Sequence, residues 1–101
     1  MSKFTELING PTPVLVDFFA TWCGPCQQMA PELQKLAKEL GGNAHILKID
    51  IDRNRAAADK YQIRSVPTLI LFQNGKQLWR GSGYQNAKAL QQLISTKAKA
   101  V

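Results

Sequence analysis

The sequence predicts an α/β fold in which a mixed β-sheet of about four strands is flanked by α-helices. Apolar, strand-like runs alternate with helix-like periodic segments along all 101 residues, and this alternation is typical of α/β domains. Asn74-Gly75 joins the last two predicted strands and is a strong β-hairpin signal. A parallel βαβ unit should therefore precede an antiparallel ββα unit. No repeat or linker interrupts the pattern, so residues 1–101 are predicted to form a single domain.

The first half of the chain should contain helix, strand and helix. A short first helix, ended by Gly10-Pro11, is predicted from Phe4, Leu7 and Ile8. The run Val14–Phe19 is almost continuously apolar, which is typical of a strand covered on both faces. A long helix should begin near Gly24, continue to Leu40 and stop at Gly41-Gly42. Helical spacing predicts that its core face comprises Met29, Leu33, Leu36, Ala37 and Leu40.

The second half should complete the sheet and add two helices. His45–Asp50 is predicted as another buried strand, and the segment 53–62 as a helix with an inward face of Ala57, Ala58 and Tyr61. The hairpin should pair residues 68–73 with residues 76–80. Asn86 is a good N-cap for a last helix. The apolar stripe of that helix is predicted at Leu90, Leu93 and Ile94.

Composition excludes several classes of protein. No apolar run approaches the roughly 20 residues of a membrane-spanning helix, and the N-terminus has no apolar segment behind a basic start. The two cysteines lie three positions apart, and no others are present. Secreted disulfide scaffolds need several pairs, and so short a loop would constrain the unfolded chain little. The sequence therefore predicts reactive thiols in a reducing, cytoplasmic compartment, with no membrane partner.

The positive charge is concentrated in the second half. The formal net charge is +6 overall, with −2 on residues 1–52 and +8 on residues 53–101. The simplest interpretation is a solvated basic face that maintains solubility. The alternative is that the basic charge steers acidic protein partners, in which case Arg64 is expected at the rim of the functional site. Nucleic acid is not expected as a partner, because no aromatic side chains are interleaved with the basic ones.

Cys23-Gly24-Pro25-Cys26 lies between the first predicted strand and the long helix. The N–H groups and dipole of a helix N-terminus stabilise a thiolate, so Cys23 should be the more acidic and more accessible thiol. We expect Cys23 to attack a substrate disulfide and Cys26 to resolve the mixed disulfide. The alternative is half of a zinc site, but structural zinc takes four Cys or His ligands and His45 is the only additional one. The sequence thus predicts a redox-active disulfide, Cys23–Cys26, with no metal and no bound cofactor.

Two charged residues interrupt the predicted apolar strands. Asp17 lies six residues before Cys23, and Lys48 lies in the next predicted strand. Burial raises the pKa of a carboxyl group, which suits a general base for the Cys26 thiol near neutral pH, with Lys48 as its partner. A buried ion pair with a purely structural role is the alternative. We favour the catalytic role because both charges flank one pair of thiols.

Val66-Pro67-Thr68 opens the strand before the hairpin. A proline in this position is either a plain strand start or a cis-proline held beside a site. The residues alone leave these two interpretations open.

The motif Trp22-Cys23-Gly24-Pro25-Cys26 resembles the active site of the thioredoxin family, and the resemblance covers nearly the whole chain. It further includes Val16-Asp17-Phe18, Pro31, Lys48, Val66-Pro67-Thr68, the segment 72–75 and Gly83. The resemblance implies the thioredoxin fold and reduction of protein disulfides. It also implies recharging by thioredoxin reductase, an NADPH-dependent flavoprotein.

The resemblance also implies how substrates dock. Pro67 should be cis and lie against the cysteines, beside a flat surface where an extended substrate segment pairs with the Val66 backbone. The implied substrate-binding residues are Trp22, Gly24, Pro25, Val66, Pro67 and Gly83.

Four features depart from the usual family pattern. Only 13 residues precede Val14, so the first edge strand should be short or missing. Phe19 replaces a frequent Trp, and Gln27 replaces a frequent Lys. Gln62 stands where Gly or Asn often closes the third helix, and in a left-handed conformation it would cost about 1 kcal/mol relative to Gly. None of these changes removes a catalytic group.

Two competing functions differ from a general reductase. Oxidases or isomerases with this fold usually carry a His between the cysteines, where this chain has Gly24-Pro25. A binding subunit would need the docking surface but not both thiols, so a Cys26→Ser variant should separate it from an enzyme. No exposed apolar stripe is predicted, so a monomer is expected.

Overall fold

A four-stranded mixed sheet forms the centre of the computed structural model, which describes residues 2–99. The strands are β1 (Val14–Phe19), β2 (His45–Asp50), β3 (Thr68–Gln73) and β4 (Lys76–Ser82), in the order β2-β1-β3-β4. β1 pairs in parallel with β2 and antiparallel with β3, and β3 pairs antiparallel with β4. This confirms the predicted mixed sheet. No strand precedes β1 within the described residues, which agrees with the prediction that the first edge strand is short or missing. Positions 1, 100 and 101 of the predicted domain lie outside the described residues.

Helices cover both faces of the sheet. They are α1 (Ser2–Ile8), α2 (Gly24–Leu40), α3 (Arg55–Lys60) and α4 (Ala87–Lys97), and a short 3-10 turn follows α2. α2 and α4 pack on one face, in a core that includes Leu15 of β1. Side chains from α1 and α3 share the opposite core with Val14, Val16 and Phe18. Because side chains alternate along a strand, Asp17 lies on the α2 side of the sheet with Leu15.

Three predicted details were wrong. β2 is an outer strand of the sheet and is half-buried rather than buried, and Lys48 on it is exposed. Ala37 is also exposed, because the buried stripe of α2 passes through Leu36 and Leu40 instead. α3 is shorter than the predicted 53–62, because Gln62 leaves the helical conformation with a φ of 53°.

Substitutions at Gln62 test how much its left-handed backbone conformation costs in stability. It lies in the left-handed region, where a side chain costs about 1 kcal/mol relative to glycine. Its carbonyl accepts a hydrogen bond from Arg80 Nη2 at 2.9 Å, and a substitution that keeps the backbone would keep this bond. We expect Gln62→Gly to raise the free energy of unfolding by about 1 kcal/mol, measured by urea denaturation. Gln62→Ala is the control and should stay near the wild type; equal stability of the glycine and alanine variants would contradict the prediction.

Candidate active site

The two cysteines meet at the N-terminus of α2. Cys23 is the N-cap residue and Cys26 lies in the first turn, and a disulfide joins them across a Cα–Cα distance of 5.3 Å. The Cys26 backbone N–H donates to Cys23 Sγ at 3.1 Å. This is the contact expected of a helix cap, with a sulfur as the acceptor. A negative charge on Cys23 would therefore sit against an N–H group and the positive end of the helix dipole.

In the disulfide form the two cysteine residues are buried to the same extent. In the disulfide form the exposed fractions of Cys23 and Cys26 are 4% and 5%. Phe19, Ile51 and Val66 pack against the cysteine pair, so both residues are largely covered. Gly24 and Pro25, between the cysteines, are exposed, and the space around the Gly24 Cα is open. The predicted difference in access concerns the reduced thiols, and it stays a prediction.

The segment before β3 lies directly against the cysteines. The Val66–Pro67 peptide bond is cis, which settles the alternative that the sequence left open. The Val66 carbonyl oxygen lies 3.6 Å from Cys23 Sγ. Gly83, with a φ of +92°, donates its N–H to the Pro67 carbonyl at 2.9 Å. Cys23, Val66, Pro67 and Gly83 are thus brought together from three separate parts of the chain.

Trp22 directly precedes Cys23 in the chain and contacts the loop that follows β2. It is 68% exposed, and its Nε1 donates to Asp52 Oδ2 at 2.9 Å. The Asp52 backbone N–H in turn donates to Asp50 Oδ1 at 2.9 Å. Asp52 was not among the site residues predicted from the sequence. The available signal was its position just after β2, because the carboxyl ends of parallel strands meet at one edge of a sheet.

Asp17 is buried on β1, and its surroundings perturb its titration. It is 1% exposed, and its Oδ1 has no hydrogen-bond partner. Loss of solvation through burial raises the pKa of Asp17 to about 6, although the positive charge of Lys48 partly offsets this. The carboxyl group therefore titrates much closer to neutral pH than an ordinary aspartate.

Lys48 does not form the buried ion pair with Asp17 that was the alternative to a catalytic role. It is paired with Asp17 in the register of β1 and β2, but it is exposed and makes no salt bridge with Asp17. Its Nζ lies 4.7 Å from the centroid of the Phe19 ring, within the range of a cation–π contact. Phe19 itself packs against the cysteine pair. Lys48 thus acts on Asp17 through its charge while its head group stays in contact with solvent.

The described residues form neither a metal-binding cluster nor a membrane-spanning helix. Within residues 2–99, no group of three or more His, Cys, Asp or Glu side chains is placed to hold a metal ion. No helix in this part of the chain has the length and apolar character needed to cross a membrane.

Comparisons with known sequences agree on one family. The family model for Thioredoxin matches residues 1–96. A thioredoxin-like protein of Synechocystis is 49% identical over 94 residues, which cover 92% of this chain and 90% of that protein. The thioredoxin of Staphylococcus aureus is 46% identical over 80 residues, covering 79% of this chain and 77% of that protein. The chloroplastic thioredoxin Y of rice is 46% identical over 96 residues, covering 94% of this chain but 57% of its own length.

Solved structures share the fold. A mutant thioredoxin from Halobacterium salinarum superposes with a TM-score of 0.88 at 39% identity, covering 100% of this chain and 88% of that one. The thioredoxin of Fasciola hepatica gives a TM-score of 0.86 at 38% identity, covering 95% of this chain and 92% of that one. Family, fold and the redox-active disulfide identify a protein-disulfide reductase that uses Cys23 and Cys26, with protein substrates and a reductase partner. The chain belongs to the thioredoxin family.

Proposed function

We propose that Cys23 is the nucleophile of the reductase and Cys26 its resolving thiol. The observation that carries this assignment is the N-cap geometry, in which Cys23 Sγ accepts the Cys26 backbone N–H at 3.1 Å. This N–H group and the helix dipole stabilise a thiolate on Cys23. Cys26 lies inside the first turn of α2, so its sulfur is not at the N-cap position.

The reaction proceeds by two thiol–disulfide exchanges. The Cys23 thiolate attacks one sulfur of the substrate disulfide, forms a mixed disulfide and releases the other substrate sulfur as a thiolate. Cys26 then loses its proton and attacks Cys23 Sγ, which releases the second substrate sulfur. The enzyme is left with the Cys23–Cys26 disulfide, the form seen in the structure, and the substrate has gained two electrons.

Asp17 is the proposed acceptor of the Cys26 proton. It lies on the face of the sheet that α2 covers, and α2 carries Cys26. Its Oδ1 has no hydrogen-bond partner, and its pKa of about 6 makes it mostly ionised but still basic near neutral pH. The proton passes directly or through one water molecule. Lys48 is exposed on the outer strand β2, and its positive charge lowers the pKa of Asp17.

The residues around the cysteines form the proposed docking surface. Its proposed members are Trp22, Gly24 and Pro25 at the start of α2 and Gly83 after β4, which are exposed, together with Val66, which is half-buried, and Pro67, which is buried. A substrate segment that pairs with the Val66 backbone would be held beside Cys23 Sγ, because the Val66 carbonyl lies 3.6 Å from it. An extended chain could thus bring its disulfide to Cys23 without entering a deep pocket.

The cellular setting is proposed from composition and family. We infer a monomer with one domain that binds no cofactor and works in the cytoplasm in electron transport and cell redox homeostasis. The reductase partner is an NADPH-dependent flavoprotein. Neither nucleic acid nor a membrane is a proposed partner. The reducing compartment keeps Cys23 and Cys26 in the dithiol form between turnovers.

An insulin-type reduction assay with a dithiol reductant tests the proposed function. The protein should accelerate disulfide reduction over the reductant alone, and a redox titration of the cysteine pair should fit one two-electron couple. No acceleration by the fully folded protein would overturn the proposal. A Cys23→Ser/Cys26→Ser variant is the matched control, because it keeps the surface and removes both thiols.

Alkylation tests the assignment of the nucleophile. In the reduced protein near neutral pH, a limiting amount of iodoacetamide should label Cys23 before Cys26, because the helix N-terminus stabilises the Cys23 thiolate. Peptide mapping by mass spectrometry measures the ratio of the two products. Preferential labelling of Cys26 would contradict the assignment.

A further inference from the structure

Asp17 and Lys48 are neighbours in the sheet, yet they form no ion pair. They are directly paired in the parallel register of β1 and β2, and neighbouring strands lie only about 5 Å apart. Leu15 and Ile46, two residues before them, both belong to the core under α2, so Asp17 and Lys48 share that face of the sheet. Asp17 Oδ1 nevertheless has no hydrogen-bond partner, and Lys48 is exposed. The position of the Lys48 ammonium group therefore needs another cause.

The Phe19 ring is a second partner for Lys48. Phe19 follows Asp17 by two residues on β1, so its side chain lies on the same face of the sheet. Lys48 Nζ lies 4.7 Å from the centroid of the ring, and a cation–π contact at an exposed site is about as strong as an exposed ion pair. The ring is half-buried and packs against the cysteine pair. Packing thus fixes the ring in the place where it holds the ammonium group.

The other charged groups near this face do not account for the position of Lys48. Asp50 lies two residues after Lys48 on the same face, but its Oδ1 accepts the Asp52 N–H at 2.9 Å, and its charge is the same in every variant compared below. The charged residues of α2 and α4, the helices that cover this face, are half-buried or exposed; they are Glu32, Lys35, Lys38, Glu39, Lys88 and Lys97. Lys48 is therefore placed between two partners, the Phe19 ring and the Asp17 carboxylate.

We propose that Phe19 is a positioning residue of the reductase, which holds the Lys48 ammonium group over its ring and so keeps Lys48 out of an ion pair with Asp17. The inference rests on the proposed function, in which Asp17 accepts the proton of Cys26. A carboxylate paired with an ammonium group is a weaker base, because the positive charge favours its ionised form. Held over the ring, Lys48 occupies neither oxygen of Asp17. The carboxylate thus stays free to receive the proton.

Phe19→Leu tests this role, because it removes the ring and keeps an apolar side chain against the cysteines. Lys48 should then pair with Asp17. The titration of the Asp17 carboxyl group, followed by its ¹³C chemical shift in the oxidised protein, should move to lower pH by about half a unit. In the reduced protein, the pH at which mixed-disulfide resolution reaches half its maximal rate should move in the same direction. Phe19→Trp keeps a ring, so both curves should stay where they are in the wild type.

Two lysine variants show whether the shift acts through Lys48. In the Lys48→Met background, Phe19→Leu should move neither curve, because no ammonium group remains to be released. Lys60→Met is the matched control elsewhere in the protein, since Lys60 Nζ lies 5.6 Å from the centroid of the Tyr61 ring. It removes a lysine from a cation–π contact on α3, which packs on the opposite face of the sheet, and should leave both curves unchanged.

The outcomes separate this inference from the proposed function. Curves that do not move in Phe19→Leu would show that the ring holds nothing back, and a shift that persists without Lys48 would assign the effect to hydration of Asp17. Either result removes the role of Phe19 and leaves the reductase standing. The ¹³C titration needs no turnover, so it decides whether Phe19 holds Lys48 even if the wild type fails to reduce insulin, the result that overturns the proposed function.

Discussion

Cys26→Ser should abolish catalytic turnover and leave the protein attached to its substrate. The Cys23 thiolate can still form the mixed disulfide, but no second thiol remains to attack Cys23 Sγ and release the substrate. We expect the rate of insulin reduction to fall by at least about a thousandfold. When the pre-reduced variant is mixed with substrate and no free dithiol is present, a covalent complex on Cys23 should accumulate and be visible on a non-reducing gel and by mass spectrometry.

Cys23→Ser is the matched control for this experiment. It should lose turnover equally but trap nothing, because Cys26 is not placed as the N-cap of α2. A Cys26→Ser variant that still rearranged the disulfides of a scrambled protein, without net reduction, would favour an isomerase that needs one thiol. A variant that bound a partner unchanged, and without a covalent bond, would favour a binding subunit.

The sequence predicted the position of the cysteines because the signals are local. The N-cap residue, the adjacent Pro25 and the stop at Gly41 lie within one segment, and α2 has the predicted bounds Gly24–Leu40. The hairpin was equally local, since Asn74 and Gly75 both adopt positive φ, at 54° and 79°. Turn and cap chemistry depends on a few neighbouring residues, which is why such elements can be predicted from the chain alone.

Features that depend on strand order were not predicted. An apolar run such as β2 has the same pattern in the centre and at the edge of a sheet, so the exposure of Lys48 was missed. The contact between Trp22 and Asp52 joins two loops 30 residues apart. The burial of Asp17, by contrast, was predicted, because the apolar run of β1 indicates a strand covered on both faces. β1 does lie inside the sheet, between β2 and β3.

Asp17→Asn should stabilise the protein and slow its reaction. The rise of the Asp17 pKa from 3.8 to about 6 corresponds to about 3 kcal/mol of destabilisation once the group is ionised. A buried amide that lacks a partner costs about 1 to 3 kcal/mol, so the net gain near pH 7 should be up to about 2 kcal/mol. Resolution of the mixed disulfide should slow by about a hundredfold, because the base for Cys26 is gone.

The pH dependence of stability identifies the cause of this gain. Between pH 3.8 and about 6 the folded state holds a proton on Asp17 that the unfolded state has lost. Stability of the wild type should therefore fall as pH rises through this window and level off above it. Asp17→Asn should lack that component, so its advantage over the wild type should grow from pH 4 to pH 6 and then stay constant. Urea denaturation at a series of pH values measures the difference.

Lys48→Met distinguishes a tuned base from a merely buried carboxyl group. The charge of Lys48 lowers the pKa of Asp17, so its removal should extend the fall in stability to higher pH and leave more Asp17 protonated near neutral pH. The rate of mixed-disulfide resolution should then rise with pH along the same shifted titration curve. In the Asp17→Asn background, Lys48→Met should shift neither curve. A shift that persists there would assign the pH dependence to another group and remove Asp17 from the mechanism.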